Sequence, residues 1–239
     1  MSSINLIFDE HSIKDKLYTF DSPNRTILKD DYFTQSAVLF TLIPHEDKPY
    51  ELVLIRRTNT GKRHRGQMAF PGGKFDQELD KTLRDTVLRE TYEEIGVPKN
   101  AIKLIGCLHD YPTITKFIIS PFVGVISSDQ ELKRQESEVQ QIIKVPIDFF
   151  VKKTNFKERK MVFGRNYFPV YYFNYKSDTN SYMIWGATAF MIVSFISIVY
   201  DYEISELGSQ GFRVSQIKNF RDYILNENYG TYLQKFNQK

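Results

Sequence analysis

Residues 70–97, FPGGKFDQELDKTLRDTVLRETYEEIGV, constrain the fold more than any other part of the chain. The Pro-Gly-Gly run at 71–73 interrupts any periodic element and predicts a tight turn. A polar loop follows, and residues 82–95 then have the apolar spacing of a helix that Gly96 ends. A turn, a loop and a helix are therefore expected in immediate succession.

The C-terminal half of this predicted helix carries three glutamates, Glu90, Glu93 and Glu94. At about 100° per residue they share one face, beside an apolar arc that is expected to pack on a sheet. That arc comprises Val87, Leu88, Thr91 and Ile95. Like charges at this spacing destabilise a helix, particularly near the end where the macrodipole disfavours anions. A divalent cation would offset the repulsion; the alternative is a solvated acidic face paired with Arg84, Arg89 or Lys99.

The nine residues from Arg89 to Val97, RETYEEIGV, follow the pattern R-E-U-x-E-E-x-G-U, with Thr91 at the first apolar position U. This segment resembles the second half of the Nudix box. The first half departs, because Lys81 and Phe75 stand where the box has its glutamate and glycine. The resemblance implies an α/β (α+β) fold: an α/β/α sandwich with a mixed central sheet, followed here by a helical C-terminal extension.

The loop between the glycine turn and the helix is longer than in the standard box, which is a mark of one branch. The chain resembles the coenzyme A pyrophosphatases, whose upstream motif is approximately L-L-T-x-R-S-x3-R-x3-G-x3-F-P-G-G. In the same register this chain has Val53, Leu54, Ile55, Arg57, Thr58, Lys62, Gly66 and residues 70–73. The branch implies a metal-dependent diphosphatase that cleaves coenzyme A or its derivatives to 4′-phosphopantetheine and adenosine 3′,5′-bisphosphate.

The resemblance also implies roles for the glutamates of the predicted helix. Glu90 and Glu94 are expected to be the principal ligands of Mg²⁺ or Mn²⁺, with Glu93 assisting. The carbonyl of Gly73 could add a ligand, since glycine lets the backbone approach closely. Arg89 is expected to orient the carboxylates through ion pairs.

A further glutamate from residues 136–138 is expected to complete the site, as it often does in Nudix folds. Glu138 fits the branch better than Glu136, and plain surface charge is the alternative for either. The general base is expected to be Glu90, and Glu138 is the alternative.

Four consecutive basic residues, Lys62 to Arg65, precede the glycine turn and are expected at the mouth of the site. Cations there could bind substrate phosphates, although a solvated loop is the alternative. The predicted substrate-binding residues are therefore Arg57, Lys62, Arg63, Arg65 and Gly72. Lys62 replaces an arginine of the branch motif, which keeps the charge but removes a bidentate fork.

The charge balance, 32 basic against 29 acidic residues, is too even to argue for duplex nucleic acid but suits an anionic small molecule. The single cysteine, Cys107, indicates a reducing compartment, and no signal peptide is visible, so a cytoplasmic enzyme is expected. Residues 184–200 are the most apolar run; Thr188, Ser194 and Ser197 within it favour a buried helix over a membrane span.

Three parts are predicted along the chain: an N-terminal segment (1–35) docked on the core, a Nudix domain (36–200) and a helical extension (201–239). Strands are expected at 36–43 and 50–57, which form a hairpin, and at 102–109, 117–126 and 168–175. Residues 152–160 are basic and expected to be solvated. A helix is expected at 214–225, where it could cap the domain or form a homodimer contact.

Two other functions remain open at this stage. The first is a Nudix hydrolase acting on ADP-ribose, a dinucleotide or an RNA cap. The second is a nucleotide-binding regulatory module that has lost catalysis. Such a module is expected to lack the box carboxylates, and this chain has all three.

Overall fold

The computed structural model describes residues 4–58, 66–163, 166–177, 179–209 and 212–226. The helices are α1 (Glu10–Lys16), α2 (Leu83–Ile95), α3 (Ile147–Phe150), α4 (Gly186–Tyr200) and α5 (Ile217–Asn226). The strands are β1 (Thr34–Ile43), β2 (Glu51–Arg57), β3 (Met68–Ala69), β4 (Gly72–Lys74), β5 (Lys103–Cys107), β6 (Tyr111–Pro112), β7 (Phe117–Val125), β8 (Val139–Pro146), β9 (Phe156–Phe163), β10 (Asn166–Lys176) and β11 (Ser181–Trp185).

The main sheet is mixed and is organised around β1. This strand pairs antiparallel with β2 and parallel with β7, so the predicted hairpin and mixed sheet are confirmed. β1 and β2 pair only where Thr41 to Ile43 face Glu51 to Val53. Beyond that point β3 pairs with β2, and β4 pairs with β1. The glycine turn therefore inserts where the two central strands part.

Helix α2 packs on one face of this sheet, as the apolar arc predicts. Val87 and Ile95 are fully buried in a cluster with Leu39, Val53 and Ile55. The helix begins at a capping box and ends at a left-handed residue: the Thr82 hydroxyl accepts from the backbone N–H of residue 85, and Gly96 has φ of 73°. The caps fix the ends of the helix, and burial of its apolar arc fixes its rotation and hence the face that its glutamates occupy.

The opposite face is covered by α4 and by a second, three-stranded sheet, β9-β10-β11. Phe195 of α4 stacks on Phe40 with ring centroids 4.5 Å apart, and Tyr171 of β10 stacks on Phe190 at 5.8 Å. The α/β/α sandwich is confirmed, with this additional sheet in one outer layer. The basic side chains of residues 152–160 are exposed, as expected, and the second half of this segment belongs to β9, which begins at Phe156.

The apolar run at 184–200 begins as strand rather than helix, because Ile184 and Trp185 end β11 and α4 starts at Gly186. Within α4, Thr188 donates its hydroxyl hydrogen to the carbonyl of Met68, at 3.0 Å. Among the described residues, no helix combines the length and the hydropathy needed to cross a bilayer.

Both flanking segments pack against the core. Arg25 and Asp110 form a buried ion pair that ties the N-terminal segment to the end of β5. At the other end, Phe220 of α5 is buried in the larger core cluster, and Arg221 pairs with Asp30 at 2.9 Å. The helix expected at 214–225 is thus present and caps the domain; the three-part division of the chain and a homodimer contact stay predictions.

Candidate active site

Glu94 lies at the centre of the carboxylate cluster and is almost fully buried, with 1% of its surface exposed. Its Oε1 accepts from Nη1 of Arg57 at 3.0 Å, and its Oε2 accepts from the backbone N–H of Gly72 at 2.8 Å. The pKa of Glu94 is raised to about 7, chiefly by burial and to a smaller extent by Glu90 and Glu138, while Arg57 and the Gly72 N–H oppose the shift. The fold therefore holds a carboxylate where ionisation is unfavourable.

Glu90 occupies the neighbouring position, one turn earlier on α2, and faces the glycine turn. A Cβ placed on Gly73 would lie 2.3 Å from the carboxyl carbon of Glu90, so only glycine fits there. Burial is the main cause that raises the pKa of Glu90; Arg89 opposes the shift, while Glu93 and Glu138 add to it. Gly73 therefore lies directly against Glu90, and a ligand role for its carbonyl stays a prediction.

Arg89 links the carboxylates of α2 to Asp80 in the preceding loop. Its Nη1 donates to Glu90 at 2.8 Å and to Glu93 at 3.0 Å. Its Nε and Nη2 donate to the two carboxylate oxygens of Asp80, at 2.9 and 2.8 Å. Such a bidentate pair fixes the guanidinium plane, so Arg89 can orient Glu90.

Asp80 was missed by the sequence reasoning. It is 4% exposed, accepts from the Thr86 hydroxyl at 2.9 Å, and has a pKa lowered to about 2, chiefly by Arg89. Lys81 occupies the position where the standard box has glutamate, and the adjacent Asp80 is the residue that pairs with Arg89. The signal was available: Asp80 is the acidic residue immediately before the helix start in the lengthened loop.

The structure distinguishes between the two glutamates expected from residues 136–138. Glu136 is at the surface, paired with Arg134 at 2.9 Å. Glu138 immediately precedes β8, and its backbone carbonyl accepts a hydrogen bond from the N–H of Thr58 at 2.9 Å. Its charge is near enough to raise the pKa of both Glu90 and Glu94.

Two of the predicted substrate-binding residues are directed to Glu94 rather than outward. Arg57 and Gly72 both donate to it, and only 31% of the Arg57 side chain is exposed. Gly72 is also packed tightly, since a Cβ there would lie 2.3 Å from the carbonyl oxygen of Ala37. Lys62, Arg63 and Arg65 lie outside the described residues.

The donor chemistry fits a divalent cation, although the side chains are arranged for hydrogen bonding. Among residues 4–58, 66–163, 166–177, 179–209 and 212–226, no three His, Cys, Asp or Glu side chains form a ready-made metal site. The Glu138 carboxylate nevertheless raises the pKa of both Glu90 and Glu94, and carboxylate oxygens are the ligands that Mg²⁺ prefers. A cation between them would relieve this repulsion.

A family model described as the NUDIX domain matches residues 34–164, which is more than half of the chain. The matched segment contains β1, the glycine turn and the carboxylate-bearing helix α2. The chain therefore belongs to the Nudix family, whose related members are named as hydrolases.

Among its relatives is "Uncharacterized Nudix hydrolase NudL" of Pectobacterium atrosepticum, 32% identical over 66% of this chain and 79% of the relative. Another is "Nudix hydrolase 15, mitochondrial" of Arabidopsis thaliana, 25% identical over 70% of this chain; the match spans 59% of that protein's length. A solved MutT/nudix family protein from Enterococcus faecalis covers 87% of this chain and 79% of its own, with 15% identity and a TM-score of 0.46.

Proposed function

We propose that the protein hydrolyses the diphosphate linkage of a nucleoside diphosphate derivative, with coenzyme A and its derivatives as the first candidates. The observation that carries this proposal is the buried Glu94, held by Arg57 and Gly72 beside Glu90 and Glu138. Nudix membership supports the hydrolytic chemistry. The choice of coenzyme A rests on the sequence motifs around the glycine turn.

Glu90, Glu94 and Glu138 are the residues that would hold Mg²⁺ or Mn²⁺, with the carbonyl of Gly73 as a further donor and Glu93 in support. A cation bound there would neutralise diphosphate oxygens and acidify a water molecule.

Glu90 is the better placed general base. Its pKa is raised by burial, which increases its ability to take a proton from water near neutral pH. Arg89, fixed by Asp80, holds the Glu90 carboxylate against the glycine turn while the proton moves. Glu138 is the alternative base, because it is more exposed and also adjoins the cluster.

Product analysis on a panel of diphosphates tests the proposal. Coenzyme A, acyl-CoAs, ADP-ribose, NADH and capped RNA should be compared at equal concentration, with and without chelator. We expect coenzyme A to give 4′-phosphopantetheine and adenosine 3′,5′-bisphosphate, with activity lost on chelation and restored by Mg²⁺ or Mn²⁺. Full activity after exhaustive chelation would contradict the metal assignment, and cleavage of ADP-ribose or capped RNA alone would contradict the substrate.

The basic loop offers a sharper substrate test. Arg63 and Arg65 are proposed to bind the 3′-phosphate that distinguishes coenzyme A from dephospho-coenzyme A. Losing one charge-assisted contact costs about 1.5 to 3 kcal/mol, or roughly tenfold to a hundredfold in binding. Changing both arginines to alanine should therefore raise KM for coenzyme A far more than for the dephospho form, with kcat less affected.

A further inference from the structure

The end of β2 places two consecutive arginines on opposite faces of the main sheet. Arg57 turns toward α2 and donates to Glu94. Arg56 points the other way, onto the face it shares with the buried Leu52 and Leu54, because side chains alternate along a strand. Arg56 is half-buried, and within the described part of the chain its guanidinium has no ion pair and no hydrogen bond.

Gln141 lies directly beside Arg56 on the neighbouring strand. The two are register partners in the β2–β8 ladder, which places their Cβ atoms roughly 4.5 to 5.5 Å apart. The side-chain oxygen of Gln141 is buried and has no hydrogen-bond partner among the described residues. A buried acceptor without a donor destabilises a protein, so its retention calls for a physical reason.

An aromatic residue ends the strand that packs against β3. On its other side Arg56 is the register partner of Met68 in β3, and β11 lies alongside β3. Trp185 ends β11 and is half-buried, with its ring parallel to that of Tyr172 at a centroid distance of 6.3 Å. The bond from Thr188 to the Met68 carbonyl fixes this end of α4 to β3.

We propose that Arg56 and Gln141, together with Trp185 of β11, form a base-specificity subsite for adenine. A guanidinium donor next to an amide acceptor complements an edge of adenine, where a ring nitrogen accepts and the adjacent amino group donates. An aromatic ring can stack on the flat face of the base. The subsite rests on the proposed function in that its ligand is the nucleoside part of the substrate, which would pass around the end of β2 from the Glu94 face.

Binding without turnover tests the subsite, and the chain carries its own probe. Trp185 is the only tryptophan in the sequence, so its emission reports ligand at this position. The full chain should be titrated in chelator with AMP and, separately, with IMP, in which an oxygen replaces the amino group. We expect AMP to quench the emission and IMP to bind at least about tenfold more weakly, because its oxygen would face the Gln141 oxygen.

Two variants and a matched control assign this preference to side chains. Gln141→Met is close in shape and removes the acceptor; it should weaken AMP binding about tenfold and abolish the preference over IMP. Arg56→Met should weaken both nucleotides. Gln140→Met, the same change at the exposed neighbouring residue, should leave both affinities as in the parent protein. Thermal unfolding of Gln141→Met should occur at the parental temperature or above it, since an unsatisfied buried group is lost.

The outcome is separable from that of the diphosphatase assay. An AMP preference that depends on Gln141 supports the subsite even if no diphosphate is hydrolysed. Equal affinity for AMP and IMP, or an unchanged preference in Gln141→Met, overturns the subsite even if coenzyme A is cleaved.

Discussion

Replacing Glu94 by glutamine should stabilise the metal-free protein while removing its activity. The pKa of Glu94 rises from 4.5 to about 7 on folding, because burial penalises the charged form. One pKa unit corresponds to about 1.36 kcal/mol, so an ionised Glu94 costs the folded state roughly 3 kcal/mol above pH 7. Glutamine is nearly isosteric and carries no charge, so the Glu94→Gln variant escapes the burial cost of the charge, although its amide NH₂ cannot accept one of the two hydrogen bonds from Arg57 and Gly72.

The pH dependence gives the sign of the effect. Below the unfolded-state pKa, Glu94 is protonated in both states and the parent protein keeps this stability in full. As the pH rises toward 7 the unfolded chain releases its proton first, and the stability of the parent falls until the folded carboxyl also ionises. The difference between Glu94→Gln and the parent should therefore be small near pH 4.5 and reach its full value above pH 7.

Urea unfolding in chelator at pH 5 and pH 8 measures this difference. Glu93→Gln is the matched control, because Glu93 is the adjacent residue with half of its side chain exposed, and its effect should stay within about 0.5 kcal/mol. In the activity assay, Glu94→Gln should lose at least about a hundredfold, since even outer-shell partners of a metal contribute roughly 10- to 100-fold. If Glu94→Gln is instead destabilised equally at both pH values, the ion pair with Arg57 outweighs the burial cost and the reasoning is wrong.

Two further changes test how the cluster is held. Asp80→Asn removes the bidentate partner of Arg89 and should lower kcat about tenfold with little change in KM; Asp76→Asn, in the same loop, should leave both parameters unchanged. Gly73→Ala would place a Cβ 2.3 Å from the Glu90 carboxyl carbon, so steady-state assays should show activity nearly abolished, while an unaltered near-ultraviolet circular dichroism spectrum would show that packing survives.

The parts of the fold encoded locally were predictable from the sequence. The carboxylate helix is delimited by Thr82 and Gly96, whose side-chain and backbone preferences act within a single turn. Its buried arc follows directly from the helical period. The β1–β2 hairpin was predictable for the same reason, since two apolar runs flank a short polar turn.

Of the second sheet, β10 was predicted as a strand at 168–175, whereas β9 was not, because β9 lacks the alternation of apolar and polar residues that marks a half-buried strand. Its inward face includes Glu158, whose carboxylate accepts from the Ser205 hydroxyl at 2.6 Å and from the backbone N–H of Glu206 at 3.0 Å. These partners lie more than forty residues away in the chain. From the sequence alone Glu158 is therefore expected to be solvated, because only the folded structure shows that the C-terminal segment packs against it.

The site residues were predictable only in part, because the sequence identifies the side chain at each position but the fold determines which way that side chain points. Arg56 and Arg57 are adjacent and chemically identical, yet they lie on opposite faces of β2. Arg57 donates to Glu94, whereas Arg56 is the register partner of Gln141. A motif match could assign a role to Arg57 alone, because position 56 is unspecified in the motif.

The parting of β1 and β2 connects the geometry of the site to its energetics. The gap admits the glycine turn, and the turn directs the Gly72 N–H at Glu94 from within the sheet, while Arg57 approaches from β2. Both donors are fixed by strand pairing, so Glu94 is oriented before any ligand arrives. The same burial means that an ionised Glu94 destabilises the folded state by roughly 3 kcal/mol near neutral pH. A cation that binds Glu94 recovers this free energy and displaces its proton, so metal affinity should rise with pH up to about 7 and then level off.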